Sequence, residues 1–496
     1  MNICRRRLAY DELLAWQIAI AIAKNRDQGN KNQPIINQDL DDILLKFKSN
    51  LPFNLTNSQL KAIKEINQEI LSTKKMLRLL QGDVGSGKTI VAIHACLQAL
   101  AISKQSCVIA PTTVLAKQHF LYFKKLLEQY QIKIEILTSA NTKKQKNQII
   151  QKLKNGEINI LISTHAVLED DVKFNNLGLA IIDEQHRFGV IQRLKLVEKG
   201  EQVDLLLMSA TPIPRSLMMG LYGDMDISIL NEKPKNRQKI LTTIMSQNKS
   251  PELFQSIDKI IEKNEKVYWI CPVIQENNND IIDKEPVNQN SDLVSVEKKY
   301  QELINRFGND QVAIIHGKMK ESEKELVMNQ FSNPESKIKI LVATTVIDVG
   351  VDIANATVIV IENAENFGLA QLHQLRGRVG RSERKSFCVL LYGKKYGEVQ
   401  KQRLSIMKQS NDGFFIAEED LKLRGSGDLI GTKQSGFPEF QIADLNFDGD
   451  LLKLANQQAK IIINKDQQLN TTINKKYHYL LKLFNYYDFL TITKSG

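Results

Sequence analysis

Cysteine is sparse. Cys4, Cys96, Cys107, Cys271 and Cys388 are the five in 496 residues. They form no CxxC pair and have no histidine cluster at zinc-finger spacing beside them, which excludes a disulfide scaffold and a structural zinc module. The expectation is reduced, mostly buried thiols in a cytoplasmic protein. No stretch is long and apolar enough to span a bilayer. Arg5, Arg6 and Arg7 ahead of an apolar segment ending Ala21-Ile22-Ala23 imitate a signal peptide. However, Asp11 and Glu12 fall where its apolar part should begin, and Gln17 interrupts it. Leu14, Ile18 and Ile22, at four-residue steps, instead form one face of an amphipathic helix. Acidic residues are the minority charge: 56 Asp+Glu against 67 Lys+Arg leave a net +11. That balance suits a polyanionic partner but equally a generally lysine-rich surface.

What is present is a folded chain of several domains. At about 150 residues each the length allows about three, and 42% hydrophobic with 25% charged residues is a globular balance. A helical segment is expected over residues 1–50. From Leu51, short branched apolar runs (Met76–Leu80, Cys107–Ala110, Ile158–Ile162, Leu179–Ile182, Leu205–Met208) alternate with helical periodicity. This predicts a buried, mainly parallel sheet in an α/β domain over residues 51–232. Lys233–Arg237, with Pro234, reads as a hinge. The alternation restarts at Val267–Cys271, Gln311–Ile315, Ile338–Val342, Thr357–Ile361 and Phe387–Leu391, predicting a second α/β domain over 233–400. Asn- and Asp-rich Gln275–Asp292 reads as an exposed insertion. Residues 401–496 read as helix to about Leu423, a glycine-dense loop over Gly425–Gly436, and a helical tail from Leu451.

Gly82-Asp83-Val84-Gly85-Ser86-Gly87-Lys88-Thr89 follows the first strand and opens a helix. This is a Walker A loop in its required context: backbone N–H groups and a helix N-terminus facing phosphate, Lys88 reaching the β- and γ-phosphates, the Thr89 hydroxyl ligating Mg²⁺. Asp183-Glu184-Gln185-His186 ends another strand, where open α/β sheets bind ligand. Asp183 is expected to hold Mg²⁺ and Glu184 to orient and deprotonate the attacking water. Gln374-Leu375-Arg376-Gly377-Arg378-Val379-Gly380-Arg381 places three arginines in a domain without a P-loop, and such arginines can stabilise a γ-phosphate in the transition state.

These boxes, with Ser209-Ala210-Thr211, resemble in order the superfamily-two helicases and translocases. The resemblance implies two tandem RecA-like domains with parallel sheets, a helical N-terminal segment, a mainly helical C-terminal extension, and ATP in the cleft. It makes Phe53-Asn54-Leu55-Thr56 with Gln59 the adenine-reading segment, Gln185 and His186 part of the nucleotide site, and Asp348 and Gly350 nucleotide sensors. Gln374, Arg378 and Arg381 become the catalytic set of the second domain. Asp183–Val190 (DEQHRFGV), Met208–Arg215 (MSATPIPR), Gln371–Ser382 (QLHQLRGRVGRS) and the Gly413–Gly436 region are similar, more narrowly, to the RecG family of branched-DNA helicases. In that family Arg424, Gly425 and Gln434 belong to a lever coupling closure to DNA movement, with Gly425 and Gly427 permitting its turns.

A motor indifferent to sequence grips phosphates through strand-end loops. The candidates are Pro111, Thr112, Thr113, Thr164 and His165 in the first domain and His316, Gly317, Thr344 and Thr345 in the second. The resemblance implies a motor that remodels stalled forks and Holliday junctions with ATP and Mg²⁺, and a monomer is expected. One departure is expected to matter: the family's N-terminal wedge module has no counterpart, because Arg5–Leu14 corresponds to the helix after it. A truncated or split gene, or a motor without its fork-recognition part, would follow. A transcription-repair-coupling type of translocase and an idle DNA-binding remnant stay open as rival readings.

Overall fold

The computed structural model describes residues 3–27, 31–184, 190–211, 225–232, 238–272, 291–344, 353, 355–380, 383–393, 397–428, 440–444, 448–466, 469, 471 and 474–486. It divides into two compact units, Met1–Glu232 with Ala417–Gly496, and Lys233–Ile416. The first opens with helices α1 (Ile3–Asp27), α2 (Gln38–Ser49) and α3 (Asn57–Ile70). Its strands β1 (Leu77–Gly82), β2 (Gln105–Ile109), β3 (Ile134–Leu137), β4 (Ile160–Ser163), β5 (Leu177–Ile182), β6 (Asp204–Ser209) and β7 (Asp226–Leu230) form one sheet, ordered β3-β4-β2-β5-β6-β1-β7. All its pairings are parallel; Ile109 lies opposite Ser163 on β4 and Ile182 on β5. Parallel neighbours need crossovers. These are built from α4 (Lys88–Ala101), α5 (Thr113–Leu127), α6 (Lys143–Lys154) and α7 (Val190–Val197). An apolar core lies on each side of the sheet, one around Ile93, Val108 and Ile181 and the other around Leu79, Cys107 and Ile182.

The second unit repeats the plan. Strands β8 (Leu241–Ser246), β9 (Lys266–Ile270), β10 (Val312–Ile315), β11 (Ile340–Ala343), β12 (Ala356–Ile361) and β13 (Phe387–Tyr392) run parallel in the order β10-β11-β9-β12-β13-β8. With them go α8 (Ser250–Glu262), α9 (Ser291–Phe307), α10 (Glu321–Ser332), α11 (Leu369–Arg376) and α12 (Glu398–Gln409). Arg376, 1% exposed, ties this unit together. Its guanidinium donates to Met407 O at 2.7 Å, Ser410 O at 2.8 Å, Thr242 Oγ1 at 3.3 Å and His373 Nδ1 at 3.0 Å.

Three strands escape the sequence reading, β3, β7 and β8, and all three are sheet edges. An edge strand is paired on one side only and half exposed, so its side chains need not form a continuous apolar run. Lys233–Arg237 and nearly all of Gln275–Asp292 lie outside the described residues. The start of the glycine-dense segment is a correction, since α13 (Gly413–Asp428) continues through Gly425 and Gly427, while residues 429–436 lie outside the described residues. The glycines there are helical and make no turn; a helix accepts each at about 1 kcal/mol relative to alanine.

The two ends of the chain share one core. Leu13, Leu14, Ile18 and Ile22 of α1 pack with α14 (Gly449–Lys465) and α15 (Lys475–Leu483) through Leu452, Ala459, Ile463 and Leu481. The Trp16 ring sits 5.2 Å from Tyr486. Glu12, 1% exposed, accepts three backbone N–H groups, Gln441 at 2.6 Å, Ile442 at 2.9 Å and Ala443 at 2.8 Å. Arg5 adds a 2.8 Å ion pair with Asp448.

The chain's two tryptophans, Trp16 and Trp269, report one unit each. Glu12→Ala strands three amides and is expected to cost roughly 3 kcal/mol, lowering the urea midpoint of Trp16 fluorescence while sparing that of Trp269. Arg376→Met is expected to do the reverse.

Candidate nucleotide and nucleic-acid site

Parallel strands bring all their carboxyl ends to one edge, and the candidate residues of the first unit collect there. The order along the edge follows the sheet: Thr164 and His165 after β4, Pro111–Thr113 after β2, Asp183 and Glu184 after β5, Ser209–Thr211 at β6, and the Walker loop after β1.

The Walker loop is shaped by its own backbone. Gly85 and Gly87 have φ of 74° and 84°, the left-handed region that disfavours other residues. A Cβ on Gly87 would also collide with Nε2 of Gln59. Gln59, 3% exposed, donates from that nitrogen to Ser86 O at 2.8 Å, while its Oε1 accepts from Thr56 N at 2.8 Å in a capping box on α3. The residue expected to read adenine therefore braces the phosphate loop, with one amide N–H and one lone pair to spare among the described residues. Phe53 stands exposed ahead of α3. Lys88 Nζ donates to Gly82 O at 2.7 Å and Asp83 O at 3.2 Å, and Val84 N donates to Asp83 Oδ1 at 2.7 Å. The Ser86 hydroxyl is buried with no partner among the described residues. Thr89 lies half-buried in the first turn of α4.

Asp183 is fixed from three directions. Its N–H donates to Ile109 O at 2.9 Å, its Oδ1 accepts from Glu184 N at 3.0 Å, and its Oδ2 meets His119 Nε2 at 2.9 Å. Burial alone would raise this carboxyl. The His119 hydrogen bond and charge, Lys88 and the Glu184 N–H outweigh burial and hold it below the usual carboxylate range. Glu184 has φ of 51°, a strained setting for a non-glycine residue, which turns the chain sharply off the strand. At β6 the Ser209 and Thr211 hydroxyls bond at 2.7 Å, and Gln81 of β1 donates to Thr211 O at 3.2 Å. His119 and Gln81 were missed by sequence reasoning. Each sits inside a helix or strand without a local pattern to mark it.

The donor set fits the groups the motifs imply. Gly85 and Gly87 hold the loop in a left-handed backbone, the buried Ser86 hydroxyl has no partner among the described residues, and one ionised carboxylate lies at the same strand-end edge as the Thr89 hydroxyl. Among the described residues no group of three or more His, Cys, Asp or Glu could hold a metal unaided. That suits Mg²⁺, which takes one or two carboxylates and completes its shell with water and substrate phosphate.

The nucleic-acid candidates divide by chemistry. Thr112 caps α5, its Oγ1 accepting from Leu115 N at 3.3 Å, so the hydroxyl hydrogen stays available to a phosphate. Thr164 is buried beside exposed His165 and makes no capping bond. In the second unit His316 and Thr344 stand at adjacent strand ends, Ile315 being opposite Ala343. His316 Nδ1 and Thr344 Oγ1 are buried without partners among the described residues, and Gly317 beside them is exposed. Of the arginine string, Arg376 is structural, which corrects the reading of three presented arginines. Gln374 is half-buried on α11 and Arg378, in the turn after it, is 8% exposed. Ala210 is buried after β6. Arg424 and Gly425 fall within α13, with nothing described of the Arg424 side chain. Gln185, His186, Thr345, Asp348, Gly350, Arg381 and Gln434 lie outside the described residues.

Comparison with known proteins bears on the same segments. A DEAD/DEAH box helicase profile matches residues 56–219, a helicase conserved C-terminal domain profile residues 252–383, and the profile of ATP-dependent DNA helicase RecG, domain 3, C-terminal, residues 410–485. The ATP-dependent DNA helicase RecG of Synechocystis sp. is 41% identical over 470 residues, 95% of this chain and 55% of that protein. Its namesake in Pasteurella multocida is 38% identical over 478 residues, 95% of this chain and 67% of that protein. A solved structure, "Structure of RecG bound to three-way DNA junction", aligns with a TM-score of 0.72 at 39% identity, covering 90% of this chain and 57% of that one. The chain thus spans between about half and two thirds of the length of these relatives. With both sheets, their strand-end motifs and the C-terminal extension all matched, the chain belongs to the RecG family.

Proposed function

We propose that the chain is the ATP-driven motor of a RecG-type DNA helicase, remodelling branched DNA such as stalled forks and Holliday junctions during recombination and repair, as a cytoplasmic monomer. The carrying observation is the shared carboxyl edge of the first sheet, where the phosphate loop, the ionised Asp183 and the hydroxyl-bearing ends of β2 and β4 stand in one row. The solved relative bound to a three-way DNA junction supports the branched substrate.

In this reading Lys88 leaves its loop carbonyls for the β- and γ-phosphates, and Glu184 orients and deprotonates the attacking water. Asp183 and Thr89 would hold Mg²⁺, which when bound supplies charge to the phosphates. Phe53 and Gln59 meet the adenine side, and Gln185, His186, Asp348 and Gly350 complete the nucleotide site. Gln374, Arg378 and Arg381 serve the γ-phosphate from the second unit. Ser209, Ala210, Thr211, Arg424, Gly425 and Gln434 transmit the ATP state. Pro111, Thr112, Thr113, Thr164, His165, His316, Gly317, Thr344 and Thr345 take the DNA backbone.

The test is ATP turnover on forked against linear DNA. Stronger stimulation by the fork supports the proposal, weak and equal stimulation marks a general DNA motor, and no hydrolysis refutes it. Lys88→Ala is expected to lower turnover by roughly two orders of magnitude or more with DNA affinity, read by fluorescence anisotropy, kept. Affinity is expected to fall steeply with salt, log K against log[salt] having a slope of about −0.9 for each phosphate gripped on a duplex.

A further inference from the structure

Helix α5 touches both jobs assigned to the first unit. Its N-terminus is the strand-end loop Pro111–Thr113, and six residues past Thr113, about 9 Å along a helix, it carries His119 onto Asp183. Both side chains of this pair are largely buried, at 8% and 11% exposure. An ionised carboxylate only accepts, so the imidazole Nε2–H donates. The ring is fixed from behind by Phe123, edge-on at 6.4 Å, and Phe123 is itself buried in the main core of the unit. Leu115, Ala116 and Phe123 pack the same helix against that core. α5 is therefore a stiff rod with one end at a backbone-facing loop and its middle hydrogen-bonded to the carboxylate of the nucleotide site.

We propose that His119 is a positioning residue that links DNA engagement at the start of α5 to the placement of Asp183. The proposal rests on the motor reading above. A phosphate taken by the Thr112 hydroxyl and the free N–H groups of the first turn shifts or steadies the helix. His119 carries that change to Oδ2 of Asp183, and the same bond passes the state of the nucleotide site back to the loop, because coupling between two sites is reciprocal. Nothing covalent changes, and the proton stays on Nε2.

Two substitutions separate this role from a packing role. His119→Phe keeps the ring and removes the donor; His119→Gln places an amide N–H near the position of Nε2. Turnover is measured with and without forked DNA, together with the Mg²⁺ dependence of binding of a fluorescent ADP analogue, which needs no hydrolysis. In His119→Phe the ratio of DNA-stimulated to DNA-free turnover is expected to fall about tenfold. The Mg²⁺ concentration for half-maximal nucleotide binding is expected to rise about tenfold, as when the hydrogen-bond partner of a metal ligand is lost. His119→Gln is expected to restore most of both. A His119→Phe protein with an unchanged ratio, or one losing the same factor with and without DNA, would overturn the coupling, as would a glutamine variant no better than phenylalanine. An unmodified chain that DNA does not stimulate would instead overturn the motor reading, and the coupling with it.

Discussion

A carboxylate taken out of water tends to pick up a proton, and a neutral Asp183 would be a far poorer ligand for the cation proposed for it. The structure meets this constraint with local charge and hydrogen bonds. Lys88, the Glu184 N–H and His119 converge on one buried group and keep it ionised. Much around it follows. The backbone turns sharply at Glu184 so that its amide can point back at Asp183. β2 and β5 must end in register so that Ile109 can take the Asp183 N–H. The Walker loop must end on the same edge so that Lys88 is within electrostatic reach.

That edge is a product of topology before it is a product of chemistry. Parallel strands with helical crossovers finish on one side, so motifs separated by more than a hundred residues become neighbours simply because their strands do. Gln81 shows the benefit at short range. It is the last residue of β1 before the Walker loop, and its side chain holds the carbonyl of Thr211, so the phosphate loop and the Ser209–Thr211 turn are braced by one amide.

The sequence made visible whatever depends on local pattern. Central strands buried on both faces announce themselves as branched apolar runs, and the Walker glycines are explicit because their backbone angles demand them. Hidden were the features set by partners far away. β3, β7 and β8 are edges whose one-sided pairing relaxes the pattern. Arg376 reads as one more presented arginine until Met407 and Ser410 close around it. Gln59 looks like a ligand contact, and only the folded chain shows it bracing Ser86. Gly425 and Gly427 look like turn-formers, yet α13 runs through them. His119 had no signature, since its significance is a partner 64 positions along the chain.

The joint between α1 and the C-terminal helices bears on how this protein is made. Arg5 meets Asp448 across 443 positions, so during synthesis the apolar face of α1 waits for a partner emerging long afterwards. At typical elongation rates of 5–20 residues per second that wait is roughly 20 to 90 seconds, during which the second sheet can emerge complete. Over that interval the nascent chain carries an unsatisfied greasy helix, and this joint closes only after the C-terminal helices have left the ribosome, whereas the first sheet, whose two cores draw on no residue beyond Leu230, can pack before then.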